Sequence, residues 1–111
     1  MTQQRWALVT GASSGLGAEY VRALARAGHN IVLVARDRDR LQALGDQVER
    51  DFSVATEVLP ADLHAPRDVG SVATRLVDAR RPVRVLVNNA GYGIGEDLAT
   101  SDVGEERNHL A

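Results

Sequence analysis

The chain contains no cysteine and no lysine. Without cysteine it can form no disulfide bond and no thiolate metal site, and we assign no metal ligand elsewhere. All 13 basic residues are arginine, so any mechanism that needs a lysine ammonium group is excluded within these residues. No apolar stretch approaches the ~18 residues of a membrane-spanning helix, so we expect no membrane partner and a cytoplasmic location.

The sequence also lacks a large excess of charge of either sign. Its formal net charge is -2, and the arginines alternate with acids and apolar residues rather than forming a patch. A nucleic-acid partner is therefore not expected. With 111 residues, 44% of them apolar, the chain has the size and composition of a single globular domain.

What the sequence does have is a regular alternation of strand-like and helix-like segments. Four β-prone runs predict strands at residues 5–10, 30–35, 53–59 and 83–88. The second run is apolar throughout, as in a strand covered on both faces, whereas the third alternates and carries Glu57, which is typical of an edge strand. Short connections between these strands and the helices indicate right-handed crossovers and a parallel sheet.

Apolar residues at three- and four-residue spacing predict helices between the strands. The first covers residues 14–27 and ends before Gly28, Asp37 caps the second, and Pro66 lies in the first turn of the third. Asp102 and Glu105 have the spacing of a capping box and predict another helix start. In helix order, the predicted inner faces are Leu16, Tyr20, Val21, Leu24 and Ala27; Leu41, Leu44, Val48 and Phe52; and Val69, Val72, Ala73, Leu76 and Val77.

These elements predict an α/β fold, a Rossmann-like doubly wound parallel sheet with strand order 3-2-1-4 and helices on both faces. Four strands make up the first half of such a sheet and one strand of the second half, so the sheet is incomplete. The run at 83–88 would be an outer strand, yet its composition suits pairing on both edges. We therefore interpret residues 1–111 as the N-terminal dinucleotide-binding part of a single Rossmann domain, truncated before its catalytic segment.

The stretch TGASSGLG, residues 10–17, places three glycines where the first strand ends and a helix begins. A helix N-terminus carries free N–H groups and a partial positive charge, so it binds anions such as a pyrophosphate. Glycines in such a turn allow the sharp exit from the strand and the close approach of backbone to phosphate. The alternative is a tight turn with no ligand, because G-x-x-x-G-x-G is not the commonest fingerprint. The turn residues that we assign to cofactor binding are Gly11, Ser13, Ser14, Gly15, Leu16 and Gly17.

Arg36 stands at the end of the second predicted strand, where dinucleotide folds place the residue that contacts the adenosine ribose. An acid at this point accepts a hydrogen bond from the 2′-hydroxyl of NAD. A guanidinium pairs instead with the 2′-phosphate of NADP, and Arg38 is a candidate supporting residue. The rival assignment is Asp37, which could bind a ribose hydroxyl and favour NAD. We favour NADP over NAD, because Asp37 already has a structural role as a helix cap.

Four motifs together resemble the short-chain dehydrogenase/reductase family. They are the glycine-rich turn TGASSGLG, the second-strand sequence VLVAR, the ADL turn at 61–63 and VNNAG at 87–91, in the family's order and spacing. The resemblance implies hydride transfer between NADPH and a carbonyl or alcohol substrate. It also allows a homo-oligomer.

The resemblance gives roles to residues beyond the glycine-rich turn. Asp62 would accept a hydrogen bond from the adenine amino group, with the Leu63 backbone beside it, although Asp62 could equally be a turn acid before a helix. Asn89, Ala90 and Gly91 would form the floor beneath the cofactor. The alternative role for Asn88 and Asn89 is to tie the end of a strand to its neighbours.

The resemblance ends before the family's catalytic residues. The family relies on a Tyr-x-x-x-Lys pair, in which lysine lowers the tyrosine pKa, but Tyr20 is followed by Leu24 and Tyr92 by Glu96. We assign no catalytic residue, and Asn108 is left unassigned. The alternative to an oxidoreductase is a catalytically incompetent nucleotide-binding or interaction fragment. A Rossmann-like methyltransferase is a more distant alternative, since such an enzyme would not need an arginine at position 36.

Overall fold

The computed structural model describes residues 5–89, which form a parallel sheet and the helices that cover it. The helix predicted near Asp102 lies outside the described residues. In chain order the elements are β1 (Trp6–Thr10), α1 (Gly15–Arg26), β2 (Asn30–Ala35), α2 (Arg38–Phe52), β3 (Thr56–Pro60), α3 (Pro66–Leu76) and β4 (Val83–Asn88).

The sheet has the predicted parallel order β3-β2-β1-β4, which confirms the Rossmann-like fold. Leu8 of β1 pairs with Val32 of β2 on one side and with Leu86 of β4 on the other. Every residue of β1 is buried, and so are the four middle residues of β2, whereas all five residues of β3 are only partly buried. The continuous apolar runs and the more polar third strand therefore reflect central and edge positions in the sheet.

Side chains alternate between the two faces of the sheet, and each face is covered by different helices. On one face, Ala7 and Val9 of β1 share a core with the buried stripes of α1 and α2. On the opposite face, Trp6 and Leu8 pack with Val72 of α3. This separation into two cores places helices on both sides of the sheet, as the sequence predicts.

Two residues predicted for the inner face of α1 are exposed instead. The buried stripe of α1 is Gly17, Val21, Leu24 and Ala25, which corresponds to spacings of four, three and one residues on one helix face. Leu16 lies one position off this stripe and is 61% exposed. Ala27 is exposed because the helix ends at Arg26 and Ala27 is its C-terminal cap.

Two predicted element boundaries also differ from those in the structure. In both cases the residue concerned is the C-terminal cap of a helix. Ser53 was predicted to open the third strand, but it caps α2 in a left-handed conformation with φ of 57°, so that β3 begins at Thr56. Val77 was predicted to lie on the inner face of α3. It is the C-terminal cap of that helix and is 78% exposed.

A buried arginine joins α3 to the edge strand. The Arg75 side chain is 5% exposed; its Nε donates to Glu57 Oε2 at 2.9 Å and its Nη1 donates to the Arg81 carbonyl oxygen at 2.9 Å. Its guanidinium carbon lies 5.2 Å from the centroid of the Trp6 ring, within the range of a cation–π contact. The Arg81 guanidinium also reaches Glu57, with Nη1 at 2.6 Å from Oε1. Glu57 therefore neutralises a buried cation.

Replacing Glu57 by glutamine is expected to lower the free energy of unfolding by about 2 kcal/mol, because Arg75 would keep its buried charge without a carboxylate partner. Urea unfolding followed by circular dichroism measures the effect. Glu19→Gln is the control, since Glu19 is 73% exposed in its ion pair with Arg22, and we expect a change below about 0.5 kcal/mol. Equal effects of the two substitutions would contradict this account.

Candidate functional site

A cleft opens where the carboxyl ends of β1, β2 and β3 meet, which is where Rossmann-like sheets bind their ligands. Its volume is about 450 Å³. Residues from the glycine-rich turn, from the end of β2 and from the turn after β3 line it. These residues are Gly11, Ser13, Ser14, Val34, Ala35, Arg36, Asp37, Arg40, Ala61, Asp62, Leu63 and Asn89.

The glycine-rich turn is fixed on two sides by hydrogen bonds. Gly11 has a φ of 65°, a conformation that a residue with a side chain adopts only with strain, and the chain leaves β1 there. The Ala12 N–H donates to the Val34 carbonyl of β2 at 3.1 Å. Asn89 Nδ2, just after β4, donates to the Gly11 carbonyl at 3.3 Å. The turn is therefore held in place between the two neighbours of β1.

The N-terminus of α1 is well suited to an anion. Its cap residue, Ser14, makes no side-chain hydrogen bond to the helix, and its hydroxyl donates instead to the Gly11 carbonyl at 3.5 Å. The first turn of α1 carries no acidic residue. Thus no carboxylate in that turn neutralises the partial positive charge of the helix N-terminus or competes with an anion for its first N–H groups.

Close packing between α1 and the turn explains Gly17. A Cβ atom at this position would overlap the Gly11 carbonyl oxygen and lie 2.9 Å from Asn89 Nδ2. A side chain at Gly15 would instead meet nothing within 4 Å. Gly17 therefore sets how closely the helix approaches the end of β1, whereas the space beside Gly15 is open.

The end of β2 presents a cation and a carboxylate with different surroundings. Arg36 is exposed and lines the cleft, and within residues 5–89 its guanidinium forms no ion pair. Asp37 caps α2, as predicted: its Oδ1 accepts the Arg40 N–H at 3.1 Å, and its Oδ2 lies 3.9 Å from Arg40 Nε. Within residues 5–89, the Asp37 carboxylate, which could bind a ribose, is thus paired with Arg40, whereas the Arg36 guanidinium has no ion-pair partner.

The structure does not place Arg38, the candidate supporting residue, in the lining of the cleft. Arg40, and not Arg38, lines the cleft beside Arg36. Arg38 is the first residue of α2, and Arg40 follows two positions later, which rotates its side chain by about 200° around the helix axis. The cap at Asp37 already predicts where α2 starts, but the sequence pattern does not show which side of that helix faces the cleft.

Asp62 has the turn role that the sequence left open. Its Oδ1 accepts the His64 N–H at 2.9 Å, and its own N–H donates to Asp68 Oδ2 at 2.7 Å. Its other carboxylate oxygen forms no hydrogen bond within the described part of the chain. Asp62 and Leu63 both line the cleft, so the adenine contact stays a prediction that the turn role does not exclude.

The end of β4 is tied to β1, as the alternative role for the two asparagines predicts. The buried Thr10 hydroxyl donates to Asn88 Oδ1 at 2.8 Å, and Asn89 reaches the Gly11 carbonyl as described above. Asn89 also lines the cleft. Ala90 and Gly91, which were predicted to continue this floor, lie outside the described residues, and so does Tyr92.

Most predicted site residues meet at this cleft. Gly15, Leu16 and Gly17 do not line it, although they form the first turn of α1 beside it. Sequence reasoning missed Arg40 and the strand-end residues Val34, Ala35 and Ala61. The strand ends could have been found from their position in the parallel sheet, because such ends meet at one edge. The roles of all these residues in binding stay predictions.

Among residues 5–89, no cluster of three or more histidine, aspartate or glutamate side chains is placed to hold a metal ion. No helix within the same range is long and apolar enough to cross a membrane.

Comparison with known proteins points to one family. The family model described as short chain dehydrogenase matches residues 5–108. The very-long-chain 3-oxoacyl-CoA reductase of the yeast Meyerozyma guilliermondii is 41% identical over 108 residues, which cover 94% of this chain and 31% of the relative. The chain therefore spans about a third of the length of that relative.

Solved structures agree with the sequence relatives. A short-chain dehydrogenase from Sphingobium yanoikuyae in complex with NADPH is 46% identical with a TM-score of 0.74, and the match covers 82% of this chain and 35% of that one. L-sorbose reductase from Gluconobacter frateurii, complexed with NADPH and L-sorbose, is 34% identical with a TM-score of 0.73, again over 82% of this chain and 35% of that one.

Proposed function

Because the chain belongs to the short-chain dehydrogenase family, we propose that it is the cofactor-binding part of an NADP-dependent oxidoreductase. The reaction would be hydride transfer between NADPH and a carbonyl or alcohol substrate. The observation that carries the proposal is the pair at the end of β2, where Arg36 has no ion-pair partner within residues 5–89 and Asp37 is engaged by Arg40.

The cleft offers a group for each part of the cofactor. The uncapped N-terminus of α1 suits the pyrophosphate, and the hydroxyls of Ser13 and Ser14 lie beside it. The Arg36 guanidinium suits a 2′-phosphate, with which it can form two parallel hydrogen bonds. The turn at Asp62 suits adenine. When bound, the nicotinamide would supply or accept the hydride.

The similar proteins support the choice of NADP over NAD. The Sphingobium yanoikuyae and Gluconobacter frateurii structures are both described as complexes with NADPH. The reduction of a carbonyl compound is also consistent with the name of the yeast relative, a 3-oxoacyl-CoA reductase. For this chain we propose the broader substrate class, a small molecule with a carbonyl or alcohol group. Its location in the cytoplasm stays a prediction.

The proposal is tested by binding of the reduced cofactors to the 111-residue chain, followed by nicotinamide fluorescence. We expect NADPH to bind at least about tenfold more tightly than NADH, the ratio that one charge-assisted contact to a phosphate provides. Equal affinities would contradict the NADP assignment. Failure of both cofactors to bind, in a chain that is folded by circular dichroism, would contradict the cofactor site itself.

The 111-residue chain is expected to bind cofactor without turning it over. It has no lysine, so it cannot supply the Tyr-x-x-x-Lys pair that the family resemblance requires. We expect no loss of NADPH absorbance above the protein-free rate when the chain is mixed with NADPH and a ketone or a 3-oxoacyl-CoA. Turnover by this chain would show that another group replaces that pair.

A further inference from the structure

The turn after β3 leaves two polar groups of the cleft lining without a partner among residues 5–89. One is Oδ2 of Asp62, since the His64 N–H donates to Oδ1 of that carboxylate, at 2.9 Å. The other is the backbone N–H of Leu63, whose side chain is buried in the core beneath α3. Both residues line the cleft. An acceptor and a donor on adjacent residues are thus available to a ligand.

Asp62 is held in this turn by a carboxylate of the following helix. Oδ2 of Asp68, the third residue of α3, accepts the Asp62 N–H at 2.7 Å in a partly buried contact. A charged acceptor makes this a strong hydrogen bond, and the N-terminus of a helix favours a negative charge. Ala65, the cap residue of α3, makes no side-chain hydrogen bond of its own. Asp68 therefore ties the first turn of α3 to the wall of the cleft.

Backbone hydrogen bonds fix the turn on either side of Asp62. The Ala61 N–H donates to the Ala35 carbonyl, at the end of β2, at 2.9 Å. The Ala65 N–H donates to the Asp62 carbonyl at 2.9 Å. These two bonds set the course of the turn, but neither involves the Asp62 N–H. The contact with Asp68 therefore orients the rigid peptide plane before Asp62, and with it the direction in which the Asp62 side chain leaves the turn.

The two unpartnered groups are complementary to the edge of adenine. The 6-amino group of adenine donates and its N1 accepts, so the Asp62 carboxylate oxygen and the Leu63 N–H can each form one hydrogen bond with it. Hypoxanthine has an oxygen at position 6 and a hydrogen on N1, which reverses both groups. It would leave both protein groups facing groups of their own kind, and unpaired polar groups in a binding site are costly.

We propose that Asp68 is a positioning residue for the base of the cofactor. Its carboxylate holds the Asp62 N–H and so keeps the Asp62 acceptor and the Leu63 donor in register with a 6-amino purine. Asp68 does not line the cleft, so it acts through Asp62 and does not touch the ligand. This role rests on the proposed NADP function, and it concerns the adenine end of the cofactor rather than its phosphate groups.

The test compares the binding of NADPH and of its deaminated analogue, in which hypoxanthine replaces adenine, to the 111-residue chain by nicotinamide fluorescence. The wild type is expected to bind NADPH at least about tenfold more tightly, since the analogue loses two hydrogen bonds. Asp68→Ala should lower this ratio to about threefold or less, because the turn no longer holds the acceptor in place.

Asp39→Ala is the matched control. Asp39 also lies in the first turn of a helix, α2, but it is exposed, does not line the cleft and accepts no hydrogen bond from any group within residues 5–89. The substitution removes the same charge, and the ratio of the two affinities should stay within about twofold of that of the wild type.

Two further substitutions separate positioning from helix stability. Asp68→Asn keeps an oxygen of the same reach for the Asp62 N–H and should retain most of the preference for adenine. Asp68→Glu keeps the negative charge in the first turn of α3 but moves the carboxylate by one methylene group, so it should fold like the wild type and lower the ratio at least about threefold. A purely structural role would give the opposite order, in which the charged variant keeps the ratio and the neutral one loses it.

A change at Asp62 shows whether Asp68 acts through that residue. Asp62→Asn replaces one carboxylate oxygen by an amide donor, which favours the 6-oxo group of hypoxanthine, so the ratio should fall to about threefold or less. Adding Asp68→Ala to this variant should change the ratio by less than about twofold, because the two substitutions affect the same contact. A second drop as large as the one in the wild-type background would overturn the action through Asp62.

The failures are distinguishable. If the wild type prefers NADPH to its deaminated analogue but Asp68→Ala changes that ratio no more than Asp39→Ala does, the role of Asp68 is overturned and the NADP function stands. If the wild type binds the two with equal affinity and still prefers NADPH to NADH, the adenine contact is overturned, and the role of Asp68 with it. If the folded chain binds neither NADPH nor NADH, the proposed function itself fails.

Discussion

Replacing Gly17 by alanine should destabilise the chain by roughly 3 kcal/mol or more, because the new methyl group would overlap a backbone carbonyl and not a movable side chain. The carbonyl belongs to Gly11, which is fixed by its hydrogen bond from Asn89. To accept the methyl group, α1 would have to move away from the end of β1. That movement would also displace the helix N-terminus that we assign to the pyrophosphate.

Urea unfolding of Gly17→Ala and Gly70→Ala measures this effect against a matched control. Gly70 is also a helical glycine, but a Cβ there would meet nothing within 4 Å. Alanine should therefore stabilise α3 at this position by up to about 1 kcal/mol, the ordinary difference in helix propensity. Similar effects of the two substitutions would show that the close approach at Gly17 is not a real constraint.

Replacing Arg36 by aspartate should reverse the cofactor preference. The substitution removes the guanidinium that we assign to the 2′-phosphate and puts in its place a carboxylate that repels phosphate and accepts from a ribose hydroxyl. Each effect corresponds to about 1.5–3 kcal/mol, so the ratio of NADPH to NADH affinity should fall by a factor of about 100 or more.

Fluorescence titration with both reduced cofactors gives that ratio directly. Arg38→Asp is the control, because it makes the same change of charge two residues away, at a side chain outside the cleft. It should alter the ratio by no more than about threefold through long-range electrostatics, which salt screens further. A loss of NADPH affinity that is the same for both variants would mean that only net charge matters, and not the position of Arg36.

The features that the sequence predicts correctly are those that depend on nearby residues. Continuous apolar runs marked the central strands, and the position of Asp37 before a periodic segment marked the cap of α2. Three closely spaced glycines marked the turn at the end of β1. Each of these features has a local physical cause: a buried strand, a free helix N–H or a backbone conformation. Each cause involves only residues within a few positions of the feature itself.

The features that the sequence does not reveal depend on distant contacts or on the angular position of a side chain. Arg75 is buried because Glu57 and Trp6, far apart in the chain, come together beside it. Leu16 is apolar and has the right spacing, yet one position of rotation leaves it exposed. The side of α2 that faces the cleft is likewise set by tertiary packing, and for this reason the sequence analysis did not identify Arg40 as a lining residue.

The proposed function requires that the cleft at the ends of β1, β2 and β3 bind the 2′-phosphorylated adenosine of NADP. Parallel titrations of the wild-type 111-residue chain with 2′-phospho-AMP and with AMP test it most directly, since both ligands need only this part of the cleft. The account predicts that 2′-phospho-AMP binds at least about tenfold more tightly, with a preference that shrinks as salt is added. Equal affinities at low salt would contradict it.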